Sequence, residues 1–397
     1  MEITNSGANS TKKVIEDLFS YDLKKIFAYM TPETIKETRE NLEKIRDLIN
    51  DEEVMKLLIE VLKNYILIEI SGSYILRPKV VKAIVELLAY VASETKSKED
   101  IIFLLEIFLK EKIKEVLSLY DQEHAAVFVW DLGKIAYYTK SGDVVELIAD
   151  ILKNYTRSLL DAGKIASDFV KIALWTKSKE AVKSAIEIFR SYYNKTPLVA
   201  QTIVGLLGNV AYETQSEELV EYIRKIYSKE NVKDLITTSY YSIGKVFAQR
   251  IAKNLGKIAY ITQNEETVDS AVRIFEIYNK NPEIAKEIQI GLEEIIYWIK
   301  SKKTIESTLK ILEVYSPNPE IAKEIIKILA HVAYVSRRED RFEFFAEIYL
   351  DETMKEAIIK SYSIDPKLAN MIAWKVREIA FWTDSKEAVK KFLRYNF

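Results

Sequence analysis

His124 and His331 are the only imidazoles in this 397-residue chain, and cysteine is absent. Thiolate nucleophiles, disulfides and zinc sites built on cysteine are thereby excluded. Neither histidine has a second histidine or an acidic cluster at ligand spacing, so both are expected at the surface or the edge of a core. Carboxylates are abundant, 60 in all, and a pair could do acid–base chemistry, but abundance singles out no pair. No HExxH, EF-hand loop, Walker A loop or GxSxG elbow occurs. No catalytic, cofactor-binding or metal-binding residue is assigned on this basis, and no cofactor is expected. Recognition chemistry remains. Trp175, Trp298 and Trp382 occur in closely similar phrases, and Arg337 and Arg338 sit in SRREDR, the most basic short stretch. Exposed Trp and Arg are the side chains that most often carry interface energy, so these five are the candidate interaction residues. Their competing role is packing between helices or, for the arginines, solvated helix surface.

The balance of charge narrows the partner. Lys and Arg number 58 against 60 Asp and Glu, a net charge of −2. Nucleic-acid binders usually carry a basic excess or block, which makes nucleic acid the lesser alternative, open only through a local basic face. No run approaches 18 apolar residues, so no membrane span is expected. The opening MEITNSGANSTKK has no signal-peptide pattern, and a cytoplasmic location is the expectation. Abundant Lys, Glu, Ile and Tyr lean toward a thermophilic source.

The elements that position these residues are repeated. IALWTKSKEAV at 172–182 returns as IAFWTDSKEAV at 379–389. The same setting is centred on Ala92, Ala136, Ala173, Ala211, Ala259, Ile296, Ala333 and Ala380, with a degenerate first copy around Arg46. Periods of this length belong to two-helix repeats. In each, an apolar stripe at spacings of three and four precedes the anchor, as in Phe247, Ile251, Leu255 and Ile258. A polar break follows, then a second stripe. Ser178, Ser216, Asn264, Ser301 and Ser385 are placed to cap the second helix, and Glu180, Glu218, Glu266 and Glu387 favour its first turn. The anchors are mostly Ala, with Gly133, Gly208 and Gly256 three residues earlier, which predicts close helix approach. Tyr65, Tyr155, Tyr192, Tyr278 and Tyr315 recur toward the ends of second helices, where a buried ring can send its hydroxyl to water or a free carbonyl.

A longer rhythm of about 121 residues follows Tyr120, Tyr240 and Tyr362. Inserts at 112–121, 231–244 and 353–366 are expected as additional short helices or extended second helices. Residues 1–12 are expected to be disordered, 13–76 to be an atypical helical N-terminal cap, and 77–397 to be the repeat array. Within the cap, ILIEISGSYILRP at 66–78 lacks the repeat signature and is expected as a loop or distorted helix end.

Repeat length, paired helices and small anchors resemble HEAT and armadillo repeat proteins over roughly 35–397. The resemblance implies an all-α fold, a right-handed alpha-alpha superhelix with about eight or nine helical repeats. It also implies a noncatalytic scaffold or adaptor that binds protein partners, or itself, through an extended surface of successive second helices. A nucleic-acid-binding repeat protein, and less so an enzyme with an unrecognised site, are the alternatives.

Overall fold

The computed structural model describes residues 27–28, 30–45, 48, 51–70, 73–155 and 158–396. The segment 1–12 and the degenerate anchor Arg46 lie outside them. Among the described residues the chain is all-helical in class, with 21 helices and one short hairpin. It divides into two compact units, residues 1–187 with 207–220 and residues 188–206 with 221–397. The first unit holds α1 (Pro32–Lys44), α2 (Glu52–Ile66), β1 (Leu67–Ile70), β2 (Ser73–Leu76), α3 (Pro78–Thr95), α4 (Lys98–Leu109), α5 (Glu111–Ser118), α6 (Gln122–Thr139), α7 (Gly142–Lys153) and α8 (Leu159–Thr176). Helices α9 (Lys179–Tyr193), α10 (Pro197–Thr214) and α11 (Glu217–Ser228) have residues in both units. The second unit continues with α12 (Glu230–Ser242), α13 (Lys245–Thr262), α14 (Glu265–Tyr278), α15 (Pro282–Trp298), α16 (Lys302–Val314), α17 (Pro319–Ser336), α18 (Glu339–Leu350), α19 (Glu352–Ile364), α20 (Pro366–Thr383) and α21 (Lys386–Asn396). The three inserts correspond to additional helices, α5 of 8 residues and α12 and α19 of 13 each.

Apolar periodicity becomes two packed layers. Helix α13 buries Phe247, Ala248, Ile251, Ala252, Leu255, Ile258 and Ala259 along one face. Helices that precede a polar break pack on one another, α3 with α6, α6 with α8, and α15 with α17. Those that follow a break do likewise, α2 with α4 and α16 with α18. The residue three before the anchor lies at close contacts of the first layer. Gly133 faces Leu87, and Gly208 faces the Asp168 carbonyl, so close that an added Cβ would lie 3.1 Å from that oxygen. Where this position is charged, as in Glu293 and Arg377, α13–α15 and α17–α20 approach less closely than α3–α6, α6–α8 or α15–α17.

The recurring phrase is a turn held by side-chain and backbone hydrogen bonds. The Thr176 hydroxyl donates to the Ile172 carbonyl (2.6 Å) and accepts from the Ser178 amide (3.2 Å). Lys177 adopts φ +52°, and its N–H bonds the Ala173 carbonyl at 2.9 Å. The Ser178 hydroxyl then accepts from the Ala181 amide at 3.0 Å, capping α9. Lys96, Lys140, Gln215, Gln263, Arg337 and Asp384 repeat the left-handed residue. Ser216, Asn264, Ser301 and Ser385 repeat the cap. Helix α15 departs from the rule. Ile299 stands where the others carry Thr or Ser, and without the hydroxyl α15 ends in extended backbone at Ile299, φ −128°.

A left-handed lysine is strained in a way glycine is not. Lys177→Gly is therefore expected to stabilise the first unit by about 1 kcal/mol, since Lys177 is exposed and its side chain has no hydrogen bond or ion pair among the described residues. A lower thermal midpoint for the variant would reject the argument.

The tyrosines seal the second layer. Tyr65, Tyr192, Tyr278 and Tyr315 are buried and donate to the carbonyls of Phe108, Tyr227, Leu312 and Tyr349, at 2.7, 2.8, 2.7 and 2.8 Å. Each acceptor lies near the C-terminal end of the following second helix. Tyr227 and Tyr349 donate in turn to the Ala252 and Ala373 carbonyls. The three super-repeat tyrosines are less alike. Tyr120 lies beyond α5, is buried and donates to the Leu152 carbonyl at 2.5 Å, whereas Tyr240 and Tyr362 sit inside α12 and α19 and are half-buried.

Residues 66–78 correct the expectation of a loop or distorted helix end. Strands β1 and β2 pair antiparallel, Leu67 opposite Leu76 and Ile70 opposite Ser73. Two β-rich runs separated by the dipeptide Ser71-Gly72 are a hairpin signal, hidden from a search for helical period. Directly after it, Arg77 is buried, 2% exposed, and its guanidinium donates to the Leu117 carbonyl at 2.5 Å and to the Tyr120 carbonyl.

Polar groups also enter the first layer five residues before the anchor. Asn254 donates to the Gln289 carbonyl (3.0 Å) and side-chain oxygen (2.7 Å). Buried Asp168 pairs with Lys171 at 2.8 Å. Part-buried Asp131 is pushed up to about 6, because burial outweighs the field of Lys134. The native carboxyl therefore holds a proton that the unfolded one, near pKa 3.9, gives up. Its contribution to stability falls as pH rises from about 4 to 6. Asp131→Asn should stabilise the first unit at pH 7 by roughly 1–2 kcal/mol, less than the whole shift implies because water still reaches the side chain. The gain should vanish by about pH 4. Urea melts across this pH range giving a constant difference would refute the assignment.

Candidate interaction surface

The second unit brings part of the candidate set together. At the end of α15, half-buried Trp298 meets Tyr334 of α17 edge-on, ring centroids 5.3 Å apart. The Arg337 guanidinium lies over the Trp298 ring at 4.3 Å, a cation–π contact. The left-handed turn at Arg337 carries this side chain beside Trp298. Next to this cluster runs a groove of about 620 Å³ lined by Glu287, Glu294, Trp298, Lys327, His331 and Tyr334 among others. Lys327 bridges Glu287 (3.2 Å) and Glu324 (3.6 Å).

The other three candidates go elsewhere. Trp175, in the first unit, is half-buried and edge-on to Tyr212 at 5.1 Å. Arg338 is held by both oxygens of Asp340 (3.0 and 2.5 Å). Trp382 is 82% exposed at the end of α20, its ring 5.6 Å from that of Phe381.

Sequence reasoning passed over three residues near the groove. His331 is exposed and lines it, and its Nδ1 accepts from Arg377 at 3.0 Å. That bond requires the neutral tautomer with its proton on Nε2. Desolvation, then the charge of Arg377, hold the His331 pKa below its ordinary value. Trp374 of α20 donates from its indole to Glu324 at 3.4 Å, with Arg377 over its ring at 5.9 Å. A signal was available for Arg377. It stands three residues before Ala380, where other copies carry Gly133, Gly208 and Gly256. His124, by contrast, only joins Asp121 at 2.7 Å on the surface.

The first unit has a groove in the same register. About 540 Å³ in volume, it is lined by Glu37, Glu40, Lys44, Glu86, Tyr90 and Trp130 among others. Glu37 and Lys44 precede Glu287 and Glu294 by 250 residues each; Glu86 and Tyr90 precede Lys327 and His331 by 241 each. Both grooves thus lie between consecutive first helices, although the sequence placed the binding surface on second helices. Their chemistry differs: the charges of Lys44 and Glu86 are reversed at Glu294 and Lys327, and the Tyr90 hydroxyl meets the Tyr138 hydroxyl at 3.0 Å, where His331 meets Arg377.

Among the described residues, no group of three or more His, Asp or Glu is placed to hold a metal ion. No described helix is long and apolar enough to cross a membrane. Comparison with protein-family models and with curated proteins returns no match.

Proposed function

We propose that this chain is a noncatalytic scaffold or adaptor whose first helices in the second unit dock a protein partner. The Trp298–Tyr334–Arg337 cluster beside an open groove carries this reading, because half-exposed Trp, Tyr and Arg in one patch are the composition of an interface hot spot. The finer architecture belongs to the same proposal. The 21 helices divide into nine pairs plus α5, α12 and α19, 9 × 2 + 3, as expected for a HEAT- or armadillo-like right-handed superhelix with an additional helix every third unit. Recurrence of the groove in one register supports a repeated surface.

The test is capture from an extract of the source cells, comparing the wild-type chain, a Trp298→Ala/Tyr334→Ala double variant and Trp382→Ala. A stoichiometric protein retained by wild type and Trp382→Ala should weaken at least about tenfold on the double variant. Equal retention by all three moves the interface off this surface. Retention of nucleic acid that added salt releases would favour the nucleic-acid alternative instead.

A further inference from the structure

Two positions in the second unit break the small-residue rule with a charge, and their environments differ. Glu293 wedges between α13 and α15, where Arg250 (3.1 Å) and Lys253 (2.5 Å) neutralise it. Arg377 wedges between α17 and α20. Among the described residues its side chain pairs with no carboxylate. Its contacts are neutral His331 and the faces of Trp374 and Phe381, at 5.9 and 5.5 Å. Its Nε is buried without an acceptor. The neighbouring acids are committed: Glu324 and Glu287 to Lys327, Glu378 to Lys375 at 2.7 Å. A half-buried guanidinium with an unsatisfied donor is costly unless a counter-ion arrives. The described residues supply counter-ions at Glu293 and none at Arg377.

We propose that the wedge between α17 and α20 docks a segment of a protein partner that presents one carboxylate to Arg377. This deepens the reading of the first-helix face as a docking surface and rests on it. The guanidinium fork suits a carboxylate. His331 can turn from its Arg377 contact to donate through a ring nitrogen, while Trp374 and Phe381 supply apolar walls. A run of negative charge such as a nucleic acid fits less well than one carboxylate, since Glu287 and Glu294 line the neighbouring α15–α17 groove, with Glu324 beside Lys327. Arg337, also without a carboxylate partner among the described residues, offers a second cation at the Trp298 end.

The experiment uses the intact chain and three short, otherwise uncharged peptides with the same aromatic and aliphatic residues but glutamate, glutamine or lysine at one central position, together with a single-stranded oligonucleotide. Binding is read by calorimetry, and His331 by the pH titration of its imidazole proton resonance, with His124 as internal control. The glutamate peptide should bind best, weaken as salt rises, and lose at least about tenfold in affinity on Arg377→Gln. Bound, it should raise the His331 midpoint by offsetting the Arg377 charge and leave His124 unmoved. The His331 readout needs no variant, so a misfolded Arg377→Gln leaves the test intact. Absent binding of the glutamate peptide, equal binding of the lysine peptide, tighter binding of the oligonucleotide, or an unmoved His331 would each overturn the proposal. A partner captured through Trp298 and Tyr334 but indifferent to Arg377→Gln would sink this inference and leave the scaffold reading standing. Binding of the glutamate peptide at Arg377 with no cellular partner captured would do the reverse.

Discussion

Replacing Arg77 with methionine is expected to destabilise the first unit by about 3 kcal/mol and to loosen α5 first. The side chain is buried, yet no carboxylate forms its contacts. Its two bonds go to the carbonyls of Leu117 and Tyr120 at the C-terminal end of α5, where the helix dipole is negative and carbonyls lack helical partners. Burial pulls the Arg77 pKa down while Asp121 and Tyr65 hold it up. Methionine fills the space and removes the cost of burying a cation, which favours the variant. It also orphans two buried carbonyls, each worth about 1–3 kcal/mol, and the loss of charge-assisted bonds adds to this. The second effect wins. Tyr120 is also fixed edge-on to Phe128, ring centroids 4.6 Å apart, so movement at its carbonyl spreads to α6. A helical array this long need not melt in one step, so amide hydrogen exchange is the right measurement. Protection should fall across 111–118 while much of α3 keeps its own. Unchanged protection of α5 would show that Arg77 does not hold it. Arg77→Lys should recover less than half of the loss, because an ammonium cannot span both carbonyls as the fork does.

Gly256→Ala sets two effects against each other, and the expected net loss is about 2 kcal/mol. In an open helix the change would gain about 1 kcal/mol from propensity. At Gly256 the new methyl would fall on the Tyr227 hydroxyl and within 2.8 Å of Leu206. That hydroxyl is buried and donates to the Ala252 carbonyl at 2.6 Å, and displacing it leaves donor and acceptor unsatisfied in a dry core. Gly163 in α8 is the control: nothing lies within 4 Å of a Cβ built there. Gly163→Ala should therefore stabilise by about 1 kcal/mol. Thermal melts of the two variants should move in opposite directions; shifts of the same sign would mean that Tyr227 yields at little cost.

These contrasts also mark what the sequence could disclose. Local chemistry was legible. The Ser and Asn caps follow from side-chain acceptors three residues from the amides they bind, and the tyrosine seals announced themselves by recurrence, although their acceptors lie 34 to 43 residues on. Hairpin 67–76 was missed because its alternation was read against a helical template. Arg77 was missed because, unlike the tyrosines, it belongs to no recurring ladder, and its carbonyl acceptors, 40 and 43 residues on, leave no mark in sequence. The candidate surface was half legible. Trp298 and Arg337 were chosen for residue type, and their meeting follows from a left-handed turn that the sequence could not supply. Arg338 looked equivalent, but its neighbour Asp340 satisfies it. Arg377 was visible as an exception to the glycine and alanine stripe. Its meaning needed the contrast with Glu293, whose neutralising cations lie on another helix.

The tyrosine seals give the second unit a mechanical asymmetry. Tyr278 and Tyr315 rivet α14 to α16 and α16 to α18 through buried hydroxyls, and Tyr349 ties α18 to α20. Across the opposite layer, α13–α15 and α17–α20 are propped apart by Glu293 and Arg377. A bending load on this unit therefore pivots about the riveted edge, like a fan about its pin. The strain appears as opening or closing of the first-helix clefts, so whatever seats itself at Arg377 also sets the stiffness of the hinge.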